Sequence, residues 1–279
     1  MSQLRIMLIL GVGLAVIWSG YWVYATQKNA TRIERLLSPK SDAHWRFVAD
    51  NYKQRGFPNR VDTSFEAPRL EAWDRALVWS GPFLQDFRLS YRLGHSMLIF
   101  PPSQSLAVFG DLYEIASEST RASVVRVTDQ AKRIVLESEK LSLRGGNVAL
   151  EIEHIEAAFL IEADKIRFRL ILRHSTKDEA IAAPLLVAEG HIASLDERPL
   201  SIMEKAPFAL QLSSLQINGK AALKRSTFEI GPKTPLRGSL KLAPETVDLV
   251  KGNKILTALL NFPELKLDMN ELRIIEIQP

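Results

Sequence analysis

From Ile6 to Val23 the chain carries one polar side chain outside its aromatics, Ser19. Such a run can cross a bilayer core as a helix, which takes roughly 20 apolar residues and tolerates about 17. Trp18, Tyr21, Trp22 and Tyr24 close it, as an interfacial aromatic belt does. The pattern predicts a membrane anchor over 1–25, with Ile6 in its apolar part and Trp18, Tyr21 and Trp22 at its end. Thr26 to Leu37 continues as a helix, with Ile33, Leu36 and Leu37 on one side and Lys28, Arg32 and Arg35 on another. Ser38-Pro39 ends it, because proline disfavours helix at the residue before it. A juxtamembrane helix is thus expected over 26–40 and a β-rich body over 41–279.

From Trp45 onward the period becomes two. Phe83, Phe87, Leu89 and Tyr91 alternate with Leu84, Asp86, Arg88 and Ser90. Val148, Leu150 and Ile152 alternate with Ala149, Glu151 and Glu153, and Ile166, Phe168 and Leu170 with arginines. Alternation of this kind gives a sheet one apolar and one polar face. Glu162 to Lys165 reads as a hairpin turn between Phe159–Ile161 and Ile166–Leu172, and Arg144 to Asn147 as another. Pro101-Pro102 breaks the strand ending at Phe100. Thr176 to Glu189 interrupts the rhythm as a short helix or a loop. Strands resume near Phe208–Leu215, Ala221–Ile230 and Leu236–Leu242, a helix is expected within Pro244–Leu260, and a last strand near Leu272–Ile277. The fold class is mainly β: an N-terminal transmembrane helix, then a long, curved antiparallel meander, open as a groove or closed as a sandwich, with one or two short helices.

Gly56-Phe57-Pro58-Asn59-Arg60 is the most distinctive short motif. Glycine permits an unusual backbone and proline fixes one angle, so it reads as the turn between a strand near Trp45–Tyr52 and one at Val61–Phe65. A buried Asn59 or Arg60 there would pin the hairpin register.

There are no cysteines, which removes disulfides, thiolate metal sites and a cysteine nucleophile. The formal charge of +4 is small and dispersed, and no nucleic-acid partner is expected. None of the five histidines stands two or four residues from another, and neither a phosphate-cradling glycine loop nor a nucleophile elbow appears. No catalytic residue, metal or cofactor is expected, and the chain is not read as an enzyme. A Ser or Asp brought against His95 in a cleft would reopen that question. The arginines at 167, 169 and 173 read as an outer face balanced by acids, or as a contact for anionic lipid headgroups.

The run could serve as an uncleaved anchor or as a signal peptide cut after Ala25; its length and terminal aromatics favour the anchor. Lys28, Arg32 and Arg35 outnumber Arg5 across it, so the positive-inside rule leans towards a cytoplasmic body.

Trp18-Ser19-Gly20-Tyr21-Trp22, the Gly56–Arg60 motif with Asp62, and Ala67-Pro68-Arg69-Leu70 occur here in order. Trp79 to Gln85, Tyr91 to Leu106 and Arg121 to Val124 follow. In order and spacing they resemble an alphaproteobacterial envelope family, domain of unknown function 2125. More distantly, the architecture resembles AsmA-like envelope proteins. The first resemblance implies an inner-membrane anchor with a periplasmic body, and it carries over no activity. Two functions are then open. One is a tethered module binding phospholipid or another hydrophobic ligand on an apolar β-face of Phe83, Phe87, Leu89, Tyr91, Val148, Leu150, Ile152, Phe159, Ile161, Ile166, Phe168 and Leu170. The other is an envelope scaffold that works through protein contacts, with partners the sequence does not name.

Overall fold

The computed structural model describes residues 3–38, 45–72, 77–108, 110–146, 148–162, 165–173, 184–194, 208–217, 220–221, 223–231, 234–242, 267–268 and 273–274. The helix expected within Pro244–Leu260 and the segment Thr176–Ala183 lie outside them. Pro184 to Glu189, read as part of the interruption, belongs to a strand.

One helix, α1 (Gln3–Leu37), joins the expected anchor and juxtamembrane helix without a break. Its buried residues, Ala25, Asn29 and Ile33, repeat every fourth position and so lie on one face.

The strands follow in pairs. β1 (Trp45–Val48) lies in a first sheet, β2 (Asn51–Arg55) and β3 (Arg60–Glu66) in a second, and β4 (Arg69–Ala72) and β5 (Leu77–Ser80) in the first again. β6 (Phe83–Leu89) and β7 (His95–Ile99) return to the second, β8 (Ser103–Val108) and β9 (Asp111–Glu118) to the first. β10 (Arg121–Arg126) and β11 (Lys132–Ser138) belong to the second sheet, β12 (Lys140–Gly145) and β13 (Val148–Ile152) to the first. From there the chain stays in the second sheet: β14 (His154–Ile161), β15 (Lys165–Arg173), β16 (Pro184–Ser194), β17 (Phe208–Ile217), β18 (Lys220–Ala221), β19 (Leu223–Gly231) and β20 (Thr234–Leu242). The first sheet has 7 strands and the second 13, all antiparallel to their neighbours. β21 (Leu267–Asp268) and β22 (Arg273–Ile274) pair separately.

From β1 to β14 this alternation describes a meander of long strands, each bent once, folded along a common crease. The bends fall at Ala49-Asp50, Ala67-Pro68, Gly81-Pro82, Phe100 to Pro102, Ser119-Thr120, Glu139 and Glu153. Backbone pairing continues through them: Ala67 N donates to Pro82 O (3.1 Å), Gly81 N to Pro68 O (3.2 Å) and Glu139 N to Glu118 O (3.1 Å). Ala67 and Ser119 turn with positive φ, 45° and 53°, and Pro68, Pro101 and Ser138 are fully buried. Proline suits a bend because it cannot donate to a ladder. A polar spine keeps the crease satisfied. Trp79 Nε1 donates to Gln104 Oε1 (2.8 Å), whose Nε2 donates to Pro101 O (2.9 Å) and Ser117 Oγ (3.0 Å). Thr120 and Ser138 share a hydroxyl bond of 2.8 Å.

Folding at the crease turns two faces inward. Directly paired residues share a face, so the register traces one surface across the first sheet through Phe47, Leu70, Trp79, Leu106 and Tyr113. On the second it runs through Phe65, Leu84, Leu98, Ala122, Leu136, Ala157, Leu170 and Ala188. Phe47 meets Phe65 edge to face at 5.1 Å, and Ile33 of α1 packs with both and with Leu84. The second half of α1 therefore packs one face, that of Ala25, Asn29 and Ile33, against β1 and β3 at one end of the groove.

The expected turns fall at or near where the pattern placed them. Glu162 N donates to Lys165 O (2.9 Å) where β14 meets β15, and β12 pairs with β13 up to Gly145 opposite Val148, so that Arg144 and Gly145, read as turn, belong to the strand. Gly56–Arg60 closes β2–β3. Gly56 has φ +112°, and a Cβ there would stand 2.9 Å from both Cβ and O of Arg60. The expectation that Asn59 or Arg60 is buried does not hold. Both are exposed, and Arg60 pairs with Asp62 at 3.0 Å and lies 4.7 Å over the Phe87 ring.

A candidate amphiphile site where the helix meets the groove

Between the two sheets lies an apolar cavity of about 540 Å³. Phe47, Leu70, Trp79, Leu106, Ile115 and Leu141 line it from the first sheet, and Phe65, Leu84, Leu98, Val124 and Leu136 from the second; Phe100 contributes from the crease. Leu36 of α1 lines its end. The volume falls within the roughly 300–1,000 Å³ of small-molecule sites, which are mostly apolar with a few placed polar groups.

The charged groups among its lining are Arg32, Asp86 and Arg88, beside the neutral Ser96, Gln104 and Thr120. Arg32 Nη2 and Arg88 Nε both donate to Asp86 Oδ2, at 2.7 and 2.9 Å. The Asp86 side chain is 4% exposed and that of Arg88 9%. Asp86 Oδ1 is buried with no hydrogen-bond partner among the described residues. Arg88 also donates to Leu93 O (2.6 Å), and Arg32 to Asn29 Oδ1 (3.3 Å). Asn29 is itself held by Thr63 (3.1 Å). Two guanidiniums thus share one carboxylate. Burial, and then the charge of Arg88, push the Arg32 pKa down against the opposing pull of Asp86.

On the far side of this trio is a second cavity, of about 670 Å³. Tyr24, Lys28, Arg32 and Arg35 line it from α1, and Arg88, Leu93, Gly94 and Arg126 from the β6–β7 and β10–β11 ends. A third hollow, polar and about 730 Å³, lies on the outer face of the first sheet beside Arg69, Ser105, Glu114 and Arg144.

The helix is fastened at the hairpin ends. Trp18 Nε1 donates to Pro58 O (3.0 Å), Trp22 Nε1 to Arg60 O (2.7 Å) and Tyr21 OH to Ser90 O (3.1 Å). Trp22 also meets Phe57 edge to face at 5.4 Å. Ile6 is exposed, with the rest of the apolar half of the helix. Around this junction Phe57 is 60% exposed, Tyr91 59% and Val127 55%, each at a hairpin end of the second sheet.

The apolar face read from the alternation divides in three. On β6 the parity is opposite. Leu84 and Asp86 point inward and are buried, while Phe83 and Phe87 are half-buried on the outer face, and Leu89 and Tyr91 are exposed. Arg32 from α1 makes this inward placement of Asp86 and Arg88 tolerable, because a buried charge needs a partner. Leu150 and Ile152 are buried on the inner face of the first sheet; Val148 sits on the same strand, its side chain outside the described set. Phe159, Ile161, Ile166, Phe168 and Leu170 are half-buried on the inner face of the second sheet, past the strands that line the cavity. None of the twelve lines the 540 Å³ cavity.

The residues that do were readable only in part. Ser96, Leu98 and Phe100 share a parity, and Asp86 and Arg88 are opposite charges two apart, which flags one face of a strand. The pairing of both with Arg32, far earlier in the chain, left no local signal. Arg167 and Arg169 are balanced by Glu162 (3.0 Å) and Glu189 (3.1 Å), so these two follow the outer-face reading.

His95 Nε2 lies 3.2 Å from Ser123 Oγ. Both face outward, opposite in parity to Ser96, Leu98 and Val124, and neither lines a cavity described above. Among the described residues, no group of three or more His, Asp or Glu side chains converges as metal ligands do.

α1 is the one helix among the described residues long and apolar enough to cross a membrane. No curated protein and no solved structure matches the chain. The profile of one family does, over residues 22–243, from the last tryptophan of the helix through β20. The chain belongs to the domain of unknown function 2125 family, uncharacterized proteins conserved in bacteria.

Proposed function

We propose that this is a single-pass protein of the bacterial inner membrane, with its body on the periplasmic side, that holds a lipid or similar hydrophobic molecule between the layers of its folded meander. The observation that carries the reading is the 540 Å³ apolar cavity beside a membrane helix. A site there lies close to a bilayer, from which a lipid would enter. The exposed Phe57, Tyr91 and Val127 at the hairpin ends suit contact with the interface, where apolar and aromatic groups gain from partial burial. The inner face continues past the cavity through Phe159, Phe168 and Leu170, as a path for a long chain would require. AsmA-like proteins enter only as an analogy of form. We read the body as a binding module and assign it no catalytic role.

Two features favour an uncleaved anchor and the periplasmic side. Cleavage after Ala25 would remove Trp18, Tyr21 and Trp22, which bond the body. Arg32, counted above as an orientation signal, is committed to Asp86. The chain has no cysteine, so a single Ser119→Cys at the exposed crease gives a unique label. An impermeant maleimide should modify it in cells with a permeabilised outer membrane; labelling only after inner-membrane lysis would refute the placement. For the ligand, the full chain in maltoside micelles should bind a fluorescent fatty-acyl probe saturably, and Leu98→Trp, which fills the cavity, should abolish uptake. Equal binding by both proteins would remove the cavity as the site.

A further inference from the structure

The apolar cavity and the 670 Å³ cavity share Arg32 and Arg88 as lining residues. They are two compartments of opposite character with one wall between them. The outer one presents Lys28, Arg32, Arg35, Arg88 and Arg126, and no carboxylate lines it. Asp86, on the side of the wall that faces the apolar cavity, is already shared by two of these cations. Lys28, Arg35 and Arg126 make no ion pair with another described residue. Like charges gathered this closely repel one another, and an anion between them relieves that cost.

The position of this cluster is specific. Lys28 stands four residues past Tyr24 on the same helix, about 6 Å along its axis at 1.5 Å per residue. Tyr24 ends the aromatic belt, so Lys28 reaches the depth of the lipid headgroups, which occupy the outer ~5–8 Å of each leaflet.

We propose that the cationic cavity between α1 and the β6–β7 and β10–β11 ends holds the anionic headgroup of an amphiphile whose tail passes the Arg32–Asp86–Arg88 wall into the apolar cavity. The chemistry recognised is a headgroup of net negative charge, whose phosphate the guanidinium groups bind in forked geometry; a zwitterionic headgroup brings its own cation into the cluster and gains no net attraction. Charge complementarity and the adjoining apolar volume assign it to a lipid and not to a free ion. This inference rests on the cavity reading above and adds the headgroup class and its residues.

The test uses the full chain in maltoside micelles, titrated with phosphatidylglycerol and phosphatidylcholine that carry the same fluorescent acyl chain. Arg35 and Arg126 are exposed, so replacing them leaves the buried trio intact. The wild-type chain should prefer phosphatidylglycerol. Arg35→Gln with Arg126→Gln should weaken that binding roughly 10–30-fold, at about 1 kcal/mol per cation near a surface, and leave phosphatidylcholine unchanged. Arg35→Lys with Arg126→Lys should keep most of the preference, which separates charge from packing. Equal affinity for both lipids, or equal loss of both in the glutamine variant, would overturn the headgroup site while the cavity reading stands. Displacement of labelled phosphatidylglycerol by inorganic phosphate at millimolar concentration would assign the site to a free anion instead. Saturable binding of neither lipid would overturn the cavity reading, and this inference with it.

Discussion

Asp86 is the residue on which helix and sheet depend together. It accepts from Arg32 and Arg88 on one oxygen while nearly inaccessible to water. Asp86→Ala would leave Arg88 buried without its carboxylate, and removing one partner of a buried pair costs about 3–5 kcal/mol. Because Arg32 is 45% exposed and can turn to solvent, the lower end of that range is expected, measured by denaturant unfolding of the full chain in detergent. A smaller effect belongs to Glu66, whose carboxyl is held below the ordinary range by the hydrogen bond from Lys53. A lowered carboxylate pKa adds stability above the ordinary value, and that contribution is lost as pH falls from there through the lowered one. Glu66→Gln should therefore lower stability slightly at neutral pH and leave it unchanged below the lowered pKa, which flattens the acid limb; the whole effect is small, as expected for an exposed pair. Residue by residue, the sequence was readable where one face of a strand is plainly polar, as at Arg167 and Arg169. On β6 it misled, since Phe83 and Phe87 outweigh Leu84 in hydrophobicity and only a partner from α1 brings Asp86 and Arg88 inside.

Among the elements, the β2–β3 hairpin carries a local signal and a distant consequence. Its Gly56 occupies a backbone region that side chains avoid, with no room for a Cβ. Gly56→Ala should cost about 1–3 kcal/mol, the range for such backbone strain. The same hairpin supplies the carbonyls of Pro58 and Arg60 to Trp18 and Trp22, so tryptophan fluorescence should report the loosened helix directly. The crease depends on Gln104, which bridges Trp79, Pro101 and Ser117. Gln104→Leu keeps the bulk, strands buried partners and should cost about 1–3 kcal/mol, visible as a lower unfolding midpoint. Turns such as Glu162–Lys165 were legible because a hairpin is encoded by neighbouring residues. The crease was not: its prolines marked strand ends, but that the ends align is settled by the register between successive long strands, which no single segment encodes.

For the molecule as a whole, one folded meander accounts for both the sheet and the space inside it. The long antiparallel β-architecture followed from the period of two, and the long N-terminal helix from its apolar run. What the period could not give is how far apart the two layers stand, since that depends on which side chains meet across the groove. The proposed function requires that this space hold an apolar molecule. Native mass spectrometry of the full chain, released from detergent, reads this out. The wild-type protein should retain a lipid-sized adduct, and Leu98→Trp should lose it with the fold preserved. A wild-type chain that emerges bare after purification from membranes, and stays bare when lipid is added back, would contradict it.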